Sequence, residues 1–540
     1  MTDSLNITIA QVNFTVGDIY HNVQKIISTY KNITQTTNLI IPDLLVFSEL
    51  SITGYPAEDL YLQDNFQNKS LDIMEKLRVI TINNPCALLI GNLFPSENKK
   101  PVNAAYLIKN GNIIHISSKN NLPSYEVFNE ERCFSSALKN EIFILNNYKI
   151  GCIICEDMWH QELPSNLHTS GMDVLLVINA SPFNFEKDKQ RKAIAQEICL
   201  KSKVDLVYVN QVGAQDEIIL DGGSFVCDST GEIKVQLEYF IEDSININWN
   251  NKKIITKKNV EIVSLEENIY NALMLGIKDY INKSGFKKVV LGLSGGIDSA
   301  LSAAIAVDAL GASNVVAVML PSQYTSKSSL DDAFAFARQL NIEILDIPIE
   351  DIANITRATL SDSGNKLQSG SLADQNIQAR IRGLLLMALS NQYGYLLLST
   401  GNKSENAVGY ATIYGDMCGG YNIIKDVYKT QVYDLAKWRK LPESIINKPP
   451  SAELFTDQKD QDNLPEYEIL DKILFGLIEE QLSISEISNK GYDFELVKKT
   501  FNLLKKSEYK RKHSCPGPII STFSLSKDRR YPIVNNFDNF

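Results

Sequence analysis

Glu49, Lys119 and Cys155 carry the three side chains that cleavage of an amide through a thioester requires. A carboxylate takes the thiol proton, the thiolate attacks the carbonyl carbon, and an ammonium beside a backbone N–H stabilises the oxyanion. Each residue stands just after an apolar run. Leu44 to Phe47 delivers Glu49, the strand Ile113 to Ser117 runs into Lys119, and Lys149 to Ile154 delivers Cys155. In α/β sheets that edge is where sites are built. Taken singly, an exposed Glu, a solvated Lys and a buried Cys need no catalytic explanation, so it is their shared placement that points to chemistry.

The second reactive stretch is Leu291 to Ala300, LGLSGGIDSA. The run Val289 to Leu293 reads as a buried parallel strand, and Ala300 to Leu310 as the helix after it. Between them the glycines Gly295 and Gly296 let the backbone approach a ligand, and the free N–H groups opening the helix suit an anion. Ser294 and Ser299 add hydroxyls, and Asp298 adds a carboxylate suited to a divalent cation. A GxxxxGK[ST] loop needs Lys where Asp298 stands, which excludes the commonest nucleotide-hydrolysing cradle. Further on, TGNKSE (400 to 405) follows the strand Leu396 to Thr400. There Glu405 is a second candidate metal ligand, and Lys403 and Lys429 are candidates to neutralise phosphate.

These residues need a frame. At 540 residues the chain is too long for one core and suggests roughly two to four domains. Strands are expected at Leu5 to Val12 and Val174 to Ile178, with a hairpin around Asn110-Gly111-Asn112. The polar stretch Asn246 to Asn259 marks the boundary, which divides the chain into 1–250, a linker 251–262, and 263–540. In the second half, strands at Val315 to Met319, Ile342 to Ile347 and Leu396 to Thr400 alternate with helices at Leu265 to Ser284, Leu330 to Leu340 and Asn376 to Ser390. That alternation predicts a doubly wound parallel sheet. A net charge of -11 argues against general nucleic-acid binding. No apolar run reaches the ~20 residues of a spanning helix, and no signal pattern opens the chain, so the expected location is cytoplasmic. Eight scattered cysteines do not form a disulfide framework. Cys152 and Cys155, three apart on one expected strand, should face opposite ways, which is wrong for a shared metal.

The motifs also carry a resemblance. SGGIDS resembles the signature of ATP pyrophosphatases, which transfer AMP and release pyrophosphate. FSELSITGYPAEDL (47 to 60), KNNLPSYEVFNEERCF (119 to 134), GCIICEDMW (151 to 159) and NASPF (179 to 183) resemble the nitrilase-type glutaminase domain of glutamine-dependent NAD synthetases. NIQARIRG (376 to 383), TGNKSE, YGDMCGGYNIIKDVYK (414 to 429), KPPSAEL (448 to 454) and DQDNLPEYEILD (460 to 471) resemble their synthetase domain.

The resemblance implies an α/β protein: an N-terminal nitrilase-like α/β sandwich, then a C-terminal doubly wound parallel sheet of the adenine nucleotide α-hydrolase kind with terminal helices. It implies Glu49 as general base, Lys119 as oxyanion stabiliser, Cys155 as nucleophile and Glu130 as a further carboxylate near the Lys. Tyr125, Ser181 and Lys187 would hold glutamine. Gly292, Leu293, Ser294, Gly295, Gly296, Ile297, Asp298, Ser299 and Thr400 would hold ATP. Asn376, Glu405 and Lys510 would contact deamido-NAD, and Asp298 and Glu405 would hold Mg2+. The family often has Gly where this chain has Glu126. The implied reaction is ATP-dependent amidation of deamido-NAD by glutamine-derived ammonia, in a homo-oligomer paired through the synthetase domain, with an enclosed path for the ammonia. The residues themselves leave open an amidotransferase acting on another carboxylate or nucleotide, and a regulatory nitrilase-like module.

Overall fold

The computed structural model describes residues 4–35, 41–97, 99–136, 140–160, 167, 169–259, 263–456, 458–462 and 464–537. The chain divides into two compact units, 1–262 and 263–540.

The first unit is built on two sheets. One has seven strands in the order Lys253–Ile254, Asp243–Asn250, Ser4–Gln11, Leu44–Val46, Ala87–Phe94, Val102–Lys109, Asn112–Ser118. The other has six, in the order Ile233–Gln236, Phe225–Cys227, Asp205–Asn210, Val174–Asn179, Tyr148–Ile154, Phe143–Leu145. Period-two alternation decides how they pack. Ile7, Ile9, Leu44, Val46 and Leu89 face Cys152, Ile154, Leu176 and Ile178 in one core between the sheets. The intervening Leu45, Leu88 and Ile90 pack outward with Val23 and Ile26 of the helix Ile19–Thr34. On the far side, Ile153, Leu175 and Val177 pack with Ala195, Ile198 and Cys199 of the helix Lys187–Ser202. The result is a sandwich of two sheets faced by helices. Of the stretch expected as a linker, Lys253–Ile254 is instead an edge strand paired with Asp243–Asn250, Lys258 bridges Val235, and residues 260–262 lie outside the described residues.

In the second unit five strands run parallel, in the order Glu343–Asp346, Val315–Met319, Val289–Gly292, Leu396–Ser399, Tyr421–Asn422. The strand order reverses between Val289–Gly292 and Leu396–Ser399, and a crevice opens beyond the strand ends at such a point. Both polar motifs singled out in this half, SGGIDS and TGNKSE, begin there. Ile381 and its neighbours on the helix Leu372–Tyr393 cover one face of the sheet. Helices Tyr467–Ile478, Ile484–Asn489 and Phe494–Lys506 form a separate core with Ala407 and Val408.

One close approach fixes Glu49. A methyl group added at Gly91, in the strand Ala87–Phe94, would collide with the backbone N of Leu50 and lie 2.7 Å from the carbonyl carbon of Glu49. Leu50 itself takes φ +46°, so the chain leaves the sheet directly over Gly91. Gly91→Ala should therefore lower the stability of the first unit by about 1–3 kcal/mol, seen in calorimetry as a lower midpoint for its transition with the second unit unmoved.

Candidate active sites and family

Lys119, Glu49 and Glu130 form one fully desolvated cluster. The Lys119 ammonium donates to Glu49 Oε1 at 3.0 Å and to the Glu130 carboxylate at 2.8 Å. Glu49 also accepts from Asn103 Nδ2 at 2.7 Å and from the Ala180 N–H at 2.9 Å, and Glu130 accepts from the Tyr55 hydroxyl at 2.7 Å. Burial pushes the Glu130 carboxyl up to about 7 against the pull of Lys119. The Lys119 ammonium is held well above its ordinary value, because Glu130 and Glu49 outweigh the cost of its burial.

Cys155 ends the strand Tyr148–Ile154 and opens a 3₁₀ turn, Cys155–Trp159, with φ +47°. That turn changes one expectation: Cys155 has already left the strand, so its side chain joins Cys152 in the same inter-sheet core. Among the described residues no group of three His, Cys, Asp or Glu is placed to hold a metal. Burial first, and then the negative charge of Glu49, raise the Cys155 thiol well above its usual value, while Lys119 lowers it. The resting thiol is protonated, and carboxylate and ammonium both act on it.

Tyr125 and Ser181 each adjoin this cluster through one neighbour, and Lys187 stands at the end of the Cys155–Trp159 turn. The Tyr125 hydroxyl donates to Glu156, next to Cys155, at 2.8 Å. Ser181 follows Ala180, and its hydroxyl accepts from Arg191 at 3.2 Å. Lys187 lies over the ring of Trp159, 4.5 Å from its centre, and 4.0 Å from Glu126. Glu126 takes φ +49°, a conformation glycine adopts without strain, which fits the Gly that the resemblance implies at this position. Arg191 is fully buried, bidentate to Asp221 at 2.8 and 2.9 Å, and grips the Ser181 and Pro182 carbonyls. No sequence motif singled it out.

In the second unit Ser294 to Ser299, Thr400, Glu405 and Lys429 line a cavity of about 320 Å³, with Gly295 alone of the loop lying outside the lining. Gly295 takes φ +78° and presses on Ser329, where a methyl group would lie 3.0 Å from the Ser329 carbonyl carbon. The Ser294 and Ser299 hydroxyls hydrogen-bond each other at 3.1 Å. Asp298 accepts from Asn402 Nδ2 at 3.0 Å and pairs with the Lys429 ammonium, which also stands 3.9 Å from Glu405. Burial and the neighbouring Asp298 hold Glu405 well above the carboxylate range. Asp460 lines the same cavity, buried, with Oδ2 accepting from the Tyr467 hydroxyl at 2.9 Å.

One expectation is revised, and two further residues are located. Lys403 does not face phosphate: it is fully buried, 2.9 Å from Asp426 and 2.5 Å from Glu479, because the first turn of its helix aims it at the terminal helices. Asn376 and Lys510 do not line the cavity. Asn376 accepts from Thr412 Oγ1 at 2.8 Å, and Lys510 donates to the Gly409 and Ala411 carbonyls at 2.8 Å, so both grip the 409–412 loop. Arg382, by contrast, does line it. Its Nε donates to the Leu320 carbonyl at 3.0 Å, burial lowers its guanidinium to about 10, and among the described residues no carboxylate pairs with it. The helical spacing of Ala379, Arg382, Gly383 and Leu386 is the signal that marks this face.

Comparison with known proteins agrees with this two-part layout. Residues 6–248 match the carbon-nitrogen hydrolase family and 269–514 the NAD synthase family. The chain is 41% identical to the glutamine-dependent NAD(+) synthetase of Acinetobacter baylyi, over 99% of both chains. It is 39% identical to that of Thermotoga maritima, again over 99% of both. The chain belongs to the glutamine-dependent NAD(+) synthetases. Among solved structures, the glutamine-dependent NAD+ synthetase of Acinetobacter baumannii in complex with ADP aligns at a TM-score of 0.79 and 38% identity, covering 98% of this chain and 99% of that one.

For a synthetase of this family, Glu130 ties stability to pH. With a folded value of about 7 against an ordinary 4.5, its contribution is full below 4.5 and is lost as pH rises through 7. Between about pH 5 and about pH 8 the wild type should lose stability relative to Glu130→Gln, measured by calorimetry of both proteins across that range.

Proposed function

We propose that this chain amidates deamido-NAD to NAD, using ATP and ammonia released from glutamine, and yields AMP, pyrophosphate and glutamate. The observation that carries the reading is that both half-reactions find their residues in one chain: Lys119 hydrogen-bonded to Glu49 beside Cys155, and the SGGIDS loop at the sheet's switch point.

In the glutaminase half, Glu49 takes the Cys155 proton as sulfur attacks the glutamine carboxamide. Lys119 and a backbone N–H hold the oxyanion; Glu49 returns its proton to the leaving nitrogen as the intermediate collapses, so ammonia departs and a thioester remains, which water hydrolyses to glutamate and free Cys155. Tyr125, Ser181 and Lys187 hold the amino-acid end of the substrate. In the synthetase half, the carboxylate of deamido-NAD attacks the α-phosphorus of ATP and pyrophosphate leaves. Ammonia then adds to the acyl carbon and AMP leaves. The loop Gly292 to Ser299, with Thr400 and Lys429, receives the phosphates. We place Mg2+ at Asp298 and Glu405, where two neighbouring carboxylates share one ammonium; magnesium is commonly held by one or two carboxylates plus substrate phosphates. When bound, it would neutralise charge on the α-phosphate and on the departing pyrophosphate. Asn376, Glu405 and Lys510 are assigned to deamido-NAD, Asn376 and Lys510 acting through the 409–412 loop they hold.

We also place the enzyme in the cytoplasm, as a homo-oligomer. Support for pairing comes from the helix Leu372–Tyr393, which leaves Leu384 63% and Met387 36% exposed beside Ile355 at 67%. Leu384→Glu should halve the mass measured by light scattering; an unchanged mass would remove this face from the assembly.

Cys155→Ala should abolish glutamine-dependent NAD formation while leaving ammonia-dependent formation intact. Asp298→Ala should abolish both. Mass detection of NAD made from deamido-NAD, ATP and either nitrogen source decides the matter, and full glutamine use by Cys155→Ala would sink the assignment.

A further inference from the structure

Lys119 and Cys155 belong to different sheets of the sandwich, following Asn112–Ser118 and Tyr148–Ile154 respectively. A carboxylate outside the triad joins the two. Asp157 lies in the turn Cys155–Trp159, is fully buried, and pairs with no lysine or arginine among the described residues. Its Oδ1 accepts the N–H of Asn121 at 2.8 Å, the side-chain amide of Asn121 at 3.0 Å and the N–H of Asn120 at 3.1 Å. Its Oδ2 accepts the N–H of Ile154 at 3.4 Å. Asn120 and Asn121 directly follow Lys119, and Ile154 directly precedes Cys155.

The donors explain the charge. Residues 120 and 121 lie beyond the end of their strand, and their N–H groups take Asp157 as acceptor in place of a strand partner. Burial pushes the Asp157 carboxyl up, and the N–H groups of Asn121 and Asn120 pull it back. One carboxylate thus satisfies donors on both sides of the gap that the nucleophile and the oxyanion ammonium must share.

We propose that Asp157 is a positioning residue of the glutaminase half: it sets the separation of Lys119 from Cys155 and acts through them without touching glutamine. This rests on the triad reading given above. The geometric demand is tight, because a displacement of about 1 Å in a catalytic group costs about 100-fold in rate.

The test uses the full-length enzyme and compares the two nitrogen sources. Asp157→Asn keeps one acceptor oxygen and turns an NH2 toward N–H donors. Its glutamine-dependent kcat should fall about 100-fold, with the KM for glutamine and the ammonia-dependent rate unchanged. The pH profile of glutamine kcat/KM should also shift, because the charges facing Cys155 have moved; lowered stability alone would leave the profile of the surviving enzyme in place. Asp157→Glu, which keeps both acceptors, should recover part of the lost kcat. If Asp157→Asn does not fold, Asn121→Ala removes the 3.0 Å arm alone and should lower glutamine kcat with KM unmoved. Wild-type glutamine kcat in either variant overturns the proposal, as does an equal fall in ammonia-dependent synthesis. Failure of the triad reading is distinct: it appears as glutamine use retained by Cys155→Ala.

Discussion

An ammonium with no access to water needs a counter-charge, and in the first unit that requirement organises everything near Lys119. Two carboxylates and one ammonium, all ionised, would leave a net negative charge inside a dry cluster, at a cost of several kcal/mol per uncompensated ion. Burial removes the excess by favouring a proton on Glu130, whose carboxyl titrates near 7. Glu49 and Lys119 are then a matched pair; Asn103 and the Ala180 N–H donate further to Glu49, and Tyr55 donates to Glu130. Burial and the negative charge of Glu49 hold the neighbouring Cys155 thiol well above its usual value.

The second unit meets a related problem of the same sign. Asp298, Glu405 and Asp460 line one cavity, with Lys429 set among them. Here too burial opposes the negative excess, holding Glu405 well above the carboxylate range, while Asp298 pairs with Lys429. A cavity lined by these carboxylates, by Lys429 and by the Arg382 guanidinium suits a ligand carrying both phosphates and a metal ion.

Much of this was legible in the sequence, and what escaped has physical reasons. Period-two apolar runs gave the strands that deliver Glu49, Lys119 and Cys155, and the strand–helix alternation gave the parallel sheet. The strand Tyr421–Asn422 was missed because two residues carry no period. The outward bend at Cys155 was missed because a positive φ at a non-glycine residue leaves no compositional trace. Lys403 was misplaced because a lysine beside a phosphate loop reads alike whether it faces the ligand or a buried pair of carboxylates. Arg191 and Asp157 escaped for one reason: each acts through partners distant in the chain, and a single sequence does not show such pairings.

The crossing at Gly91 has a consequence for how freely each half can change. In the second unit the crevice follows from strand order alone, so loop residues there can be replaced while the sheet stays as it is, and new acceptors can be accommodated by revising loops. In the first unit the chain bearing Glu49 leaves the sheet directly over Gly91, a position that admits no side chain, and the Glu49 carboxylate is part of the interior's charge balance. Chemistry and core are the same atoms there. Divergence in this architecture is therefore expected to accumulate in what is amidated, while the means of releasing ammonia stays fixed.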